Sequence, residues 1–256
     1  MTGSAWLAGF NRCEPKLLDA ILESVFCCFF VGTNQYNGVL WTIPFLFLGA
    51  LLVYAVAWLI GDKKWRYVVY AVFAGALFLT DYAGVFLGFM LCDIMHTQPK
   101  LVEWVKKQKW LLWIVFVLGI YLSSYPSAGI HLEGTIYGMI PIVMVVPYHL
   151  AGALLLVAAV VCLEPLQKFF GMPVFVKLGD ISYSLYLVHF PVIATVGCWI
   201  FKVLHQNMTY NLAALVTFVG TTVITLLISA VFSKYIEPLG KSGEQYVEKF
   251  LGKNKK

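Results

Sequence analysis

The chain is poor in charge. Only 12% of its residues are Asp, Glu, Lys or Arg, whereas 61% are apolar and mean hydropathy is +0.82. A water-soluble domain carries about a quarter of its residues as charges, so a soluble fold is excluded. Arginine is nearly missing, with Arg12 and Arg66 alone. The six cysteines (Cys13, Cys27, Cys28, Cys92, Cys162 and Cys198) lack metal-ligand spacing. Most lie inside apolar runs and read as small hydrophobes, which leaves neither a disulfide framework nor a metal site. Residues 1–16 hold Arg12, Glu14 and Lys16 but no basic start, apolar run and small-residue cleavage site, so they do not read as a signal peptide. Internal repeats and low-complexity tracts are missing too. The net charge of +5 comes from basic residues in the gaps between apolar runs and at the C-terminus, not on one amphipathic face, which argues against nucleic acid.

What the chain has instead is apolar blocks of about 15 to 28 residues, close to what a bilayer core of about 30 Å asks of a helix. Backbone polar groups find no water in hydrocarbon, so helices are the expected spanning element, and strand-like alternation is lacking. The sequence predicts an all-α, polytopic transmembrane helix bundle of about seven spans, at about 39–60, 66–80, 82–96, 110–126, 136–163, 180–201 and 209–235. The second and third are short, separated by Thr80-Asp81, and read as a re-entrant hairpin or two thin spans. Before them, 1–38 forms an N-terminal segment in which 17–32, broken by Asp19 and Glu23, reads as an interfacial helix or the remnant of a further span. A transmembrane domain over 39–238 and a cytoplasmic charged tail over 239–256 complete the expected organisation.

Lys and Arg alternate between the gaps. Lys63, Lys64 and Arg66, then Lys100, Lys106, Lys107 and Lys109, then Lys168 and Lys177, then Lys234 and the tail lysines fall on one side. The opposite side holds Asp81, the loop from Ser127 to Glu133, and a lone Lys202. By the positive-inside rule the first set and the C-terminus are cytoplasmic. The sequon Asn207-Met208-Thr209 then falls on the outer side. Trp58, Trp65, Trp104, Trp110 and Trp199 lie near span ends, as an aromatic belt does. Pro44, Pro141, Pro147 and Pro191 are expected to kink spans, and Gly84-x-x-x-Gly88 has the spacing for close helix packing.

The most informative stretch is Gly179-Asp180-Ile181-Ser182-Tyr183-Ser184-Leu185-Tyr186-Leu187-Val188-His189-Phe190-Pro191-Val192. At helical spacing Ser182, Tyr186 and His189 share a face, bringing a hydroxyl, a phenol and an imidazole into line within a span. Intramembrane polar groups face a protein interior or a wet cavity. This stripe either lines a substrate cavity or hydrogen-bonds neighbouring helices.

That stretch resembles the Gly-x-x-Ser-Tyr-x-x-Tyr-Leu-x-His signature of the acyltransferase 3 family of membrane O-acyltransferases. Phe232-Ser233-Lys234-Tyr235-Ile236-Glu237-Pro238 is similar to the family's closing Ile-Glu-Pro segment. Leu40-Trp41-Thr42 resembles its Leu-Trp-Ser/Thr segment, and Phe86-Leu87-Gly88-Phe89-Met90-Leu91 its Phe-x-x-Gly-Met-Leu segment. The four matches run in order from about 40 to 238.

The resemblance implies transfer of an acyl group, commonly acetyl from acetyl-CoA or another acyl-CoA, to a hydroxyl acceptor such as a carbohydrate or lipid. No bound cofactor is implied, and membrane lipids, acyl-CoA and the acceptor are the expected partners. Ser182, Tyr183, Tyr186, His189 and Trp41 would shape the substrate cavity. Two departures stand out. Leu46 occupies the place where the family has Glu, five residues after the Trp, and the family's early basic residue and His have no counterpart, as if the N-terminal helices were lacking. The main catalytic base is thus unassigned. Among five histidines, His189 is the first candidate, in a supporting role, and His149, within a span, the second; His96, His131 and His205 fall at helix ends or in loops. The chain therefore reads as a membrane acyltransferase, complete or truncated and inactive, or as a non-enzymatic carrier or scaffold built on the same bundle.

Overall fold

A computed structural model describes residues 14–126, 132–138 and 144–240. Every regular element among them is helical. In chain order they are α1 (Leu17–Leu22), α2 (Cys28–Phe30), α3 (Ile43–Ile60), α4 (Arg66–Ala76), α5 (Tyr82–Thr97), α6 (Pro99–Lys107), α7 (Lys109–Ser123), α8 (Val145–Cys162), α9 (Glu164–Phe170), α10 (Pro173–Asp180), α11 (Ser182–Val192), α12 (Cys198–Leu204) and α13 (Tyr210–Tyr235). A π-helical turn, Glu23–Cys27, joins α1 to α2, and a second, Ile193–Gly197, joins α11 to α12; a 3-10 turn, Gly38–Thr42, leads into α3.

Four stretches are long and apolar enough to cross a membrane: Gly38–Ile60, Val145–Cys162, Ser182–Leu204 and Tyr210–Gly240. The other three expected spans coincide with shorter apolar helices, Arg66–Ala76, Tyr82–Thr97 and Lys109–Ser123. At a rise of 1.5 Å per residue, 11, 16 and 15 residues fall short of a hydrocarbon core of about 30 Å. Seven apolar helices are present among the described residues, therefore, and length supports four of them as spans.

The chain divides into two compact units, one made of residues up to Ile43 together with those from Pro173 on, the other of Pro44–Met172. In the second unit α3, α4 and α5 pack around Val53, Val56, Tyr70, Ala74 and Phe86, with Phe73 stacked on Phe86. Phe86, from the Phe-x-x-Gly-Met-Leu segment, is thus a core residue. Arg66 and Asp93 form a two-pronged ion pair, Nε to Oδ2 at 2.6 Å and Nη2 to Oδ1 at 3.1 Å, which ties the start of α4 to α5. Helices α7 and α8 approach backbone to backbone: a Cβ on Gly119 would stand 3.0 Å from the Leu156 amide nitrogen, and one on Gly152 would collide with the amide of Ser123. The expected Gly84-x-x-x-Gly88 contact is real at Gly84, whose added Cβ would meet Leu150 at 2.9 Å, while Gly88 has open space.

In the first unit α11 packs along α13. Glu23, 5% exposed, folds residues 17–36 back on themselves, its carboxylate accepting the amide N–H groups of Gln35 and Tyr36 at 3.0 and 2.9 Å. The prolines divide by position. Pro44 and Pro147 sit in the first turns of α3 and α8, where no intrahelical donor is needed. Pro191 alone of the four is interior to a described helix, and it precedes the π-helical turn; Pro141 lies outside the described residues.

Candidate functional site

Pro191 has no N–H, so the carbonyl of Leu187, four residues earlier, loses its helical partner. Asn37 Nδ2 donates to that carbonyl at 3.0 Å. A segment ahead of α3 thereby reaches α11 at the turn that carries the polar stripe.

Two further bonds join the same segment to Tyr186. The Tyr186 hydroxyl donates to the Val39 carbonyl and lies 2.5 Å from Thr42 Oγ1. Since a phenol has one proton and the carbonyl takes it, Thr42 is the donor to Tyr186. Tyr186 is then fully committed. At the other end of α11, Ser184 is wholly buried and donates to Glu237 Oε1, while Ser233 Oγ lies 3.1 Å from Oε2 of the same carboxylate. The Leu-Trp-Thr segment, the Ser-Tyr signature and the closing Ile-Glu-Pro segment, separate in sequence, thus meet on α11.

His189 has a fixed tautomer. Its Nδ1 lies 2.7 Å from the Tyr186 carbonyl and 3.2 Å from that of Leu185, and carbonyls only accept, so Nδ1 carries the proton. Nε2 of the neutral ring is left as an acceptor, with no hydrogen-bond partner among the described residues.

Ser182, Tyr186 and His189 line one cavity of about 520 Å³ between α11 and α13. From α13 it receives Thr221, Thr222 and Thr225. Each of these hydroxyls donates to a carbonyl one turn back in its own helix, at 2.6 to 2.7 Å. Gly197 brings the π-helical turn against α13, since a Cβ there would stand 3.2 Å from Thr221 Oγ1.

The other sequence candidates lie elsewhere. Tyr183 is 53% exposed and off the cavity lining. Trp41 is half-exposed on the 3-10 turn and off the cavity lining, while Val39 and Thr42 of the same turn bond Tyr186. His149 belongs to the other unit, where Nε2 donates to the Tyr125 carbonyl at 2.7 Å and fastens α8 to the end of α7. His96 Nδ1 donates to the Cys92 carbonyl at 2.8 Å, as a helix-end residue would, and His131 lies outside the described residues. Among the described residues no cluster of His, Cys, Asp or Glu could hold a metal ion.

Asn37 and the threonines of α13 went unnoticed in the sequence. A usable signal existed for the latter: Thr217, Thr221, Thr225 and Ser229 recur one turn apart along a mainly apolar span. Asn37 had none, because its role depends on Pro191, 154 positions away.

Among protein-family models, that of the acyltransferase 3 family, described as an acyltransferase domain, matches residues 16–234. No curated protein and no solved structure matches the chain. The family match takes in the whole α11/α13 cavity and most of both compact units, and the chain accordingly belongs to the acyltransferase 3 family of membrane acyltransferases.

Proposed function

We propose that the chain transfers an acyl group, acetyl in the simplest case, from acyl-CoA to a hydroxyl acceptor seated in the α11/α13 cavity. The observation that carries this reading is the committed Nδ1 of His189, which leaves Nε2 as an acceptor on a cavity inside a membrane helix pair. A hydroxyl acceptor must lose its proton as it attacks. Its oxygen forms the new C–O bond, the thioester C–S bond breaks, and the acceptor's proton passes through the base to the departing thiolate, giving an ester and free CoA thiol. His189 Nε2 is the group on this cavity suited to take that proton. Tyr186 and the α13 threonines hold their protons against backbone carbonyls and act by shaping the site.

The topology that goes with this reading is multi-pass with a cytoplasmic C-terminus, which sets the lysine-rich gaps where the CoA phosphates are. A second reading rests on Leu46: an apolar, 60% exposed side chain stands where the resemblance calls for Glu, and a bundle without that carboxylate would serve as a carrier or scaffold.

Purified protein in liposomes, given acetyl-CoA labelled in the acetyl group, separates the two. The enzyme reading expects label in an ester and a loss of about 10²- to 10⁴-fold in turnover for His189→Ala, the usual contribution of a general base. Equal, background-level transfer by both proteins, with folding intact, would establish the scaffold.

A further inference from the structure

The acyl-transfer reading leaves the acceptor open, and the cavity's own chemistry narrows it. A bound sugar presents several hydroxyls, each a donor and an acceptor, and a site that replaces their water must offer donors and acceptors in comparable number. This cavity offers few donors. Thr221, Thr222 and Thr225 have spent their protons on carbonyls of their own helix, Tyr186 has spent its proton on the Val39 carbonyl, and His189 Nδ1–H is spent on the Tyr186 carbonyl. Ser182, at the far end and seven residues or about 10 Å from His189 along the helix, is the one lining side chain with no committed proton among the described residues.

The rest of the lining is hydrocarbon: Leu185, Ile193, Phe218 and Leu226. Phe218 is 69% exposed and Ile193 is 40% exposed, both within helices long and apolar enough to span a membrane. The cavity therefore has an apolar mouth in the lipid-facing part of the helix pair. Its volume of about 520 Å³ is within the range of small-molecule sites.

The geometry points to a membrane-dissolved alcohol as the ligand of this cavity: an apolar body along Leu185, Ile193, Phe218 and Leu226, with a single hydroxyl donating to His189 Nε2. This inference rests on the acyl-transfer reading for what happens next, when the same oxygen would attack the thioester, but not for binding itself. A lipid alcohol enters sideways from the bilayer. A sugar would have to shed its water against a wall that offers acceptors but few donors in return.

The test uses the full chain in lipid nanodiscs and three photoreactive diazirine probes: a long-chain primary alcohol, its methyl ether, and a water-soluble methyl glycoside. Labelled peptides are read by mass spectrometry. The inference expects the alcohol to label α11 and α13 peptides at least tenfold above the ether, competition by unlabelled alcohol, and no glycoside labelling there. His189→Ala should erase the preference for alcohol over ether. Leu226→Trp, which places a bulkier side chain in the cavity while leaving His189 unchanged in sequence, should remove labelling by both, so a folding fault in one variant does not decide the matter. Equal labelling by alcohol and ether, or labelling by the glycoside in preference to either, overturns it. The two readings fail separately. Alcohol labelling without acyl transfer refutes the enzyme and keeps the ligand, whereas acyl transfer to a sugar without alcohol labelling does the reverse.

Discussion

At the scale of single residues, two side chains hold the site together through carbonyls that would otherwise be orphaned. Asn37 bonds the Leu187 carbonyl because Pro191 cannot. Asn37→Leu should cost about 1–3 kcal/mol, the penalty for a polar group left unpaired away from water. Pro191→Ala, which restores the N–H, should shrink that cost in the double mutant, and thermal unfolding in detergent measures both. If the cost of Asn37→Leu is the same with and without Pro191, the carbonyl account is wrong. Tyr186 gives a parallel case. Tyr186→Phe strands the Val39 carbonyl and the Thr42 hydroxyl together, so Tyr186→Phe and Thr42→Val should be coupled by about 0.5–3 kcal/mol in a double-mutant cycle. Additive losses would show that the two hydroxyls do not share a bond. The sequence made Tyr186 and His189 legible, because a polar stripe in an apolar run is conspicuous. It could not show that the Tyr186 hydroxyl is spent on a distant backbone carbonyl while His189 gives only Nδ1 to its own helix and keeps Nε2, since that depends on partners more than a hundred positions distant for the first and on rotamer for the second.

Among helices, close approach and end chemistry decide the packing. Gly152 lets α8 touch the amide of Ser123 on α7, and no side chain can be added there without moving backbone. Gly152→Val should lower stability by about 1–3 kcal/mol or more, as overpacking does, whereas Gly88→Val, with open space around it, should be tolerated. Melting of the two variants side by side checks this, and equal losses would contradict the packing described. The sequence drew attention to the Gly84 and Gly88 pair because of their spacing. The stronger contact, between Gly119 and the helix around Gly152, lacks a short spacing to announce it, as its two halves lie on different helices.

Helix α9, beyond the end of α8, supplies a pH-dependent element. The Lys168 ammonium, 2.6 Å away, holds the Glu164 carboxyl below its ordinary range, and Glu164 in turn holds the Lys168 ammonium above its own. A depressed carboxyl stabilises above its unfolded pKa and loses that contribution as pH falls through the folded one; a raised ammonium loses its contribution as pH rises through its folded value. The pair therefore supports α9 from weakly acidic to moderately alkaline pH. Both groups are exposed, so the effect is small and salt-sensitive. Glu164→Gln should flatten a shallow decline in melting temperature below about pH 5, where carboxylates protonate, and leave neutral behaviour nearly unchanged. A steep acid transition that survives the substitution must arise elsewhere.

For the whole molecule, hydropathy carried the fold class and the position of all seven apolar helices, because apolar blocks in an otherwise charge-poor chain leave few alternatives. It did not carry their lengths. The block at 66–80 includes Leu77, Phe78 and Leu79, which continue the apolar run past the end of α4, so composition alone overstates that helix. Nor did it show the split in which residues up to Ile43 join those from Pro173 on. That pairing depends on the contacts of Asn37, Val39 and Thr42 with Leu187 and Tyr186, made by residues about 150 positions away. Membrane sidedness is checked by cysteine labelling. A cysteine in place of Asn207 should react with a membrane-impermeant maleimide in intact cells, and one in place of Lys253 only after permeabilisation.

On the proposed function, acyl transfer takes place with its acceptor in the α11/α13 cavity. The most direct measurement is the rate of ester formation from labelled acetyl-CoA by reconstituted protein, comparing Leu226→Trp, which fills the cavity, with Trp58→Leu, which changes an exposed side chain in the other unit. The expected result is loss of at least tenfold for Leu226→Trp and an unchanged rate for Trp58→Leu. Ester formation at the full rate with the cavity filled would place the acceptor elsewhere.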